Sequence, residues 1–180
     1  MKSDILFAAK DYFTTRPIKK HIRKMLVGGI PAIATWIILK FIPVNKGSIL
    51  IGEVFSNFIN VQINAIAILI SFSIAIITIM VSADNANIRK TKEILSTECK
   101  GLNNTGERLS LFQVLLSNIT YNVFIEAVYL IILIFCVFLQ VFFTESIINA
   151  LMAICIFFVV HIFHVLLETV GQMYLTFWRN

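Results

Sequence analysis

The stretch VFSNFINVQINAIAILISFSIAIITIMVSA, from Val54 to Ala83, decides how this chain is read, because it contains no Asp, Glu, Lys or Arg. A helix needs about 20 apolar residues to cross a hydrocarbon core of roughly 30 Å, and this run exceeds that length. Three further runs flank it. Met25 to Ile42 is apolar except for Lys40, whose stem can snorkel to an interface. Phe124 to Phe143 carries one acid, Glu126, near its start, and Ile147 to Leu167 carries no charge. The runs are continuous rather than alternating, which argues against the strands of a membrane barrel. The expected fold is an all-α integral membrane protein with four transmembrane helices.

Composition points the same way. The 180 residues carry a net charge of +5, with 58% hydrophobic and 14% charged residues, and the mean hydropathy is +0.88. Soluble domains hold about 25% charged residues. The balance excludes an ordinary soluble domain, a disordered chain and a free nucleic-acid-binding module. Cys99, Cys136 and Cys155 form no CxxC spacing, so neither a disulfide framework nor a zinc site is expected. The abundance of Ile, Phe, Asn and Lys fits an AT-rich bacterial or phage coding bias.

Charge placement orients the spans. Lys2, Lys10, Arg16, Lys19, Lys20, Arg23, Lys24, Arg89, Lys90, Lys92, Lys100, Arg108 and Arg179 fall on one side, against Lys40 and Lys46 on the other. The positive-inside rule then puts both termini and the middle connection in the cytoplasm, which predicts a multi-pass protein of the bacterial inner membrane. Residues 1–24 form a basic N-terminal segment ahead of a four-helix domain at 25–180. Ser3 to Phe13 has amphipathic spacing, with Ile5, Ala9, Tyr12 and Phe13 on one side, Ser3 as N-cap and Pro17 as terminator. It suits either the membrane interface or the protein's own cytoplasmic surface. It is not expected to be a cleavable signal, since the apolar run starts late and no small-x-small site follows.

The helical pattern outlasts the membrane. Ile88, Leu95 and Leu102 continue the second span toward the GLNNTG turn at Gly101–Gly106, which predicts a cytoplasmic helical hairpin over 82–112. Tyr174, Phe177 and Trp178 extend the fourth helix with interfacial residue types. In the first span, Gly28-Gly29-Ile30-Pro31 predicts a kink, serving as a hinge or as the joint with the N-terminal helix. The hairpin bases Arg89, Lys90, Lys92, Lys100 and Arg108 are candidate contacts for an anion or a partner. Asp84, Glu93, Glu98 and Glu107 offset them, so positive-inside bias also explains them.

Polar residues inside a span cost free energy, so their positions carry information. Asn57, Asn60, Asn64, Ala67, Ser71, Ala75 and Thr78 recur at steps of three and four, on one helical face. Two readings stay open: the stripe lines water, or it packs helices together. On the third helix Asn118, Asn122, Glu126 and Tyr129 share a face. On the fourth, His161, His164, Glu168 and Gln172 do. If both helices leave the turn at Glu145–Ser146 evenly, residue i lies level with about 291 − i. Glu126 then falls beside His164, Asn122 beside Glu168 and Tyr129 beside His161. This predicts an inner polar cluster with Glu126–His164 as its direct pair, acting as structural glue or as a gate. His161, His164 and Glu168 lack the second carboxylate–histidine partner of bundle metal sites, so no metal is expected.

The sequence holds no GxSxG, HExxH, P-loop or dinucleotide fingerprint, which leaves a non-enzyme without a cofactor. The leading expectation is an oligomeric membrane pore or channel-like effector, a homo-oligomer with a tetramer as the expected state, gated by a cytosolic protein or a nucleotide or nucleic-acid signal. The alternative is a non-conducting scaffold in the bilayer that recruits a cytosolic partner. In size, four-span layout, basic hairpin and absence of catalytic motifs the chain resembles the membrane subunits of bacterial anti-phage defence systems of the Kiwa and Hailong types. The resemblance is one of layout over the whole chain and carries no diagnostic motif. It implies an oligomeric membrane effector under the control of a cytosolic partner or signal, and it assigns no residue a role.

Overall fold

In the computed structural model, which describes residues 7–41, 51–82, 86–100 and 108–178, the apolar runs become four long helices. A short helix α1, Phe7–Thr14, leads into α2, Ile18–Phe41, and α3, Ile51–Ser82. A small helix α4, Ala86–Glu93, and two strands, β1 at Leu95–Lys100 and β2 at Arg108–Ser110, precede α5, Leu111–Leu139. A single 3-10 turn, Gln140–Phe142, then leads to α6, Glu145–Trp178. All four long helices are long and apolar enough to cross a membrane, which makes this a multi-pass membrane protein by length and composition.

The four helices stand in a row. The main packing runs from α2 onto α6, from α6 onto α5 and from α5 onto α3, with a smaller contact of α3 on α6, so α2 and α3 occupy opposite edges. The core lies between α3, α5 and α6, built from Phe55, Ile59, Ile66, Tyr129, Leu133, Cys155 and Ile162 among others. Because of the up-and-down topology, the starts of α2 and α5 and the closes of α3 and α6 share one end, hereafter the basic end.

Several sequence expectations change here. The first long helix starts at Ile18 rather than Met25, so residues 18–24 belong to it. The joint with α1 falls at Thr15–Pro17, well ahead of Gly28. Gly28 is a packing residue instead, buried where an added Cβ would lie 3.1 Å from both Cδ2 and the carbonyl oxygen of Phe157 on α6. The helix continues through Pro31, whose carbonyl accepts from Thr35 Oγ1 at 2.9 Å.

The helical hairpin over 82–112 is also corrected. Leu95–Lys100 and Arg108–Ser110 pair as antiparallel strands, with only α4 helical before them. The reason lies at the start of α5. Ser110 Oγ accepts from Gln113 N while the Gln113 side chain accepts from Ser110 N, a capping box that starts a new helix at Leu111. The backbone before it is therefore released to pair, and Leu111 N donates to Ile94 O at 2.9 Å. Ser3, Ile5, Lys46, the GLNNTG turn and Arg179 lie outside the described residues, as do the side chains of Lys100, Phe177 and Trp178.

Candidate functional site

The two edge helices expose opposite chemistry. On α2 the exposed side chains between its charged ends at Arg23 and Lys40 include Met25, Leu26, Ile30, Ile33 and Ile37, which suits lipid. On α3 the buried face is Phe55, Ile59, Ile66, Ser73 and Met80, turned toward α5. The opposite face is the polar stripe, and it stays open: Asn57, Asn60, Asn64, Ala67, Ser71, Ala75 and Thr78 are all exposed. Packing against the other described residues is thereby removed as the reason for the stripe.

Hydrogen bonding divides the stripe in two. Ser71 Oγ donates to Ala67 O at 3.0 Å and Thr78 Oγ1 to Ile74 O at 3.0 Å, so these hydroxyls can satisfy themselves on their own helix. The amides of Asn57, Asn60 and Asn64 bond to no other described residue. An amide left without a partner in hydrocarbon costs several kcal/mol, about 4–8 on a cyclohexane scale, so three in a row demand water or another protein surface. Exposed Val61, Ile68, Phe72 and Ile79 run along one flank of the stripe. Glu53, also exposed, extends the same face one turn before Asn57. Sequence reading missed Glu53 although its four-residue spacing to Asn57 was the available signal.

At the basic end, a second assembly joins four helices in a closed ring of contacts. Lys24 Nζ donates to Tyr12 Oη at 2.6 Å and pairs with Glu168 Oε2 at 2.5 Å. Gln172 Nε2 donates to Glu168 Oε1 at 3.4 Å, and Asn118 Nδ2 donates to Gln172 Oε1 at 3.1 Å. Arg16 donates to Asn118 Oδ1 at 2.5 Å and to the Tyr12 carbonyl at 2.9 Å, which closes the ring. Tyr12 stacks on Tyr121 of α5 at 3.7 Å with an interplanar angle of 4°. Of the two places that suited the N-terminal helix, the structure has α1 docked on the protein. Burial pushes the Tyr12 phenol up to about 12, against the opposing pull of the Arg16 guanidinium. The same burial lowers Arg16 from its ordinary value.

The expected pairs within the polar cluster are rearranged. Glu126, fully buried, turns to α3 and not to His164: it accepts from Asn122 Nδ2 at 2.7 Å and from Ser73 Oγ at 3.3 Å. His161 Nε2 lies 3.1 Å from Tyr121 Oη. Tyr129 donates to the Cys155 carbonyl at 3.3 Å rather than meeting His161. Glu168 takes Lys24, not Asn122. His164 is half-buried and outside these bonds. The level estimate itself holds at the basic end, where Asn118 meets Gln172. It fails deeper because equal depth does not fix which way a side chain turns, and α5 has neighbours on two sides. Tyr12, Arg16 and Lys24 escaped sequence reading because flank bases look alike whether they face water or a buried carboxylate.

Among the hairpin bases, Arg89, Lys90 and Lys92 are exposed on α4, and Arg108 is exposed on β2. Lys92 and Arg108 come together at a cavity of about 450 Å³ with Leu95, Ser110, Phe112 and Gln113. Arg89 and Lys90 are not among its walls. No group of three or more His, Cys, Asp or Glu placed to hold a metal occurs among the described residues. No known family model, curated protein or solved structure matches the chain.

Proposed function

We propose that the chain is the protomer of an oligomeric membrane pore whose lumen is lined by the polar face of α3. The observation that carries this reading is the exposure of Asn57, Asn60 and Asn64 on an edge helix, with no partner for their amides within the described chain. Asn57, Asn64, Ser71 and Thr78 are spaced seven apart, a heptad seam that keeps one face toward an axis when identical helices wind together. Copies arranged about that axis bring the amides into rings, let water reach them, and pack the Val61–Ile68–Ile79 flank against a neighbour. The apolar edge α2 then faces lipid on the outside.

In this reading the basic end is cytoplasmic, by positive-inside bias, in a bacterial inner membrane. The buried ring at that end and the cavity at Lys92 and Arg108 are where a cytosolic protein or an anionic signal would act on the pore. The layout resemblance to Kiwa- and Hailong-type membrane subunits supports a role for such gating in anti-phage defence. A non-conducting scaffold is the competing role.

Reconstitution separates them. The wild type should release a trapped small dye or carry single-channel current in liposomes, under voltage or with lysate from infected cells. Asn64→Leu should change the conductance while the oligomer elutes unchanged in detergent. If the wild type never conducts and Asn64→Leu only breaks assembly, the amides are packing groups and the pore reading fails.

A further inference from the structure

We propose that this pore is selective for cations, with Glu53 setting the preference at the mouth remote from the basic end; the proposal rests on the pore reading above. At 100° per residue, Glu53 lies in line with Asn60, Asn64 and Ser71, and it also borders a cavity of about 290 Å³ with Phe55, Ser56, Gln140 and Ile148. From Glu53 to Ser82 the exposed centre line of α3 passes through amide, hydroxyl and methyl groups only, so Glu53 is its one charged group.

Amides offer a carbonyl to a cation and an N–H to an anion, so the three Asn rings set width and hydration without choosing a sign. A ring of carboxylates at the entrance does choose, because low-dielectric walls focus its field along the axis.

The exposed cations of the described residues stand elsewhere: Lys10 lies on α1, Lys19, Arg23 and Lys40 on α2, Arg89, Lys90 and Lys92 on α4, and Arg108 on β2, and all of them but Lys40 belong to the basic end. Lys40 belongs to α2, at the far edge of the row, and its ammonium lies 5.0 Å over the Trp36 ring. Arg89, Lys90 and Lys92 belong to α4, which packs on α5, on the other side of α3 from the stripe. A helix diameter of about 10 Å exceeds the screening length of about 8 Å in physiological salt. Neither group therefore cancels the field of Glu53 at the axis. An acid in a first helical turn also answers the helix dipole, but that role alters stability and leaves ion preference untouched.

Two measurements on the full chain in liposomes test this. In Asn57→Cys, one turn inside Glu53, a cationic methanethiosulfonate should label the new thiol roughly tenfold faster than an anionic one, after correction for their rates on a free thiol. The native Cys99, Cys136 and Cys155 are buried, and wild-type protein gives the background. The ratio should fall toward one with Glu53→Gln added and invert with Glu53→Lys. In a KCl gradient the reversal potential of wild-type currents should move toward the potassium equilibrium value, and Glu53→Gln should bring it back.

A ratio near one in the wild type, an anion preference, or a preference that Glu53→Gln leaves unchanged overturns the proposal while the pore reading stands. If Asn57→Cys reacts with neither reagent and no current is seen, the lumen is absent and both fall. Glu53→Gln is nearly isosteric, and an unchanged detergent elution profile shows that the assembly is intact.

Discussion

At the scale of the residue, the basic end is held by charges taken out of water. Lys24 and Glu168 are 6% and 26% exposed and 2.5 Å apart, so each is the other's main compensation. Removing one partner of a buried pair strands the other and costs about 3–5 kcal/mol, whereas removing both together costs far less. Lys24→Met should therefore lower the unfolding temperature in mild detergent much more than the double variant Lys24→Met with Glu168→Gln. Equal losses in the two would show that the pair contributes nothing. Tyr12, which accepts from Lys24 and stacks on Tyr121, makes α1 part of the same unit. None of these three partnerships was legible in the sequence. A lysine seven residues into a basic helix and a glutamate near the end of another carry no mark of meeting.

At the scale of the element, the helices were legible and their junctions were not. Uncharged length alone predicts α3, α5 and α6, because unpaired backbone groups are excluded from hydrocarbon. The connection between α3 and α5 is polar and escapes that constraint, so the Ser110–Gln113 box, a four-residue signal, outweighed the apolar periodicity through Leu95. The glycine pair in α2 also has a legible chemistry and an illegible role. Gly28 meets Phe157 at 3.1 Å, while nothing lies within 4 Å of a Cβ at Gly29. Gly28→Ala should force α2 away from α6 at a cost of about 1–3 kcal/mol. Gly29→Ala should be neutral or slightly stabilising through helix propensity. Thermal unfolding of the two variants side by side checks this, and equal behaviour would mean that the α2–α6 contact yields without cost.

At the scale of the whole molecule, the four long helices present unlike edges at α2 and α3. One edge is largely apolar and the other carries the amides, so in the proposed oligomer copies would meet at α3 and leave α2 in lipid. In native membranes a short bis-maleimide should join Ser71→Cys protomers into a ladder and leave Ile33→Cys protomers single. The reverse pattern would place the assembly contact on α2. By itself, the sequence determined that the chain has four membrane-length helices, which flanks hold the bases, and that one helix has a polar face. Those follow from periodicity and from the cost of placing charge or bare backbone in hydrocarbon, both local properties. Only the tertiary structure decided that α3 stands at an edge with its amides open, that Glu126 turns to Ser73, and that Arg16 and Lys24 are buried. These depend on which helices become neighbours, and helical spacing fixes the face a side chain shares but not the surface that face will meet.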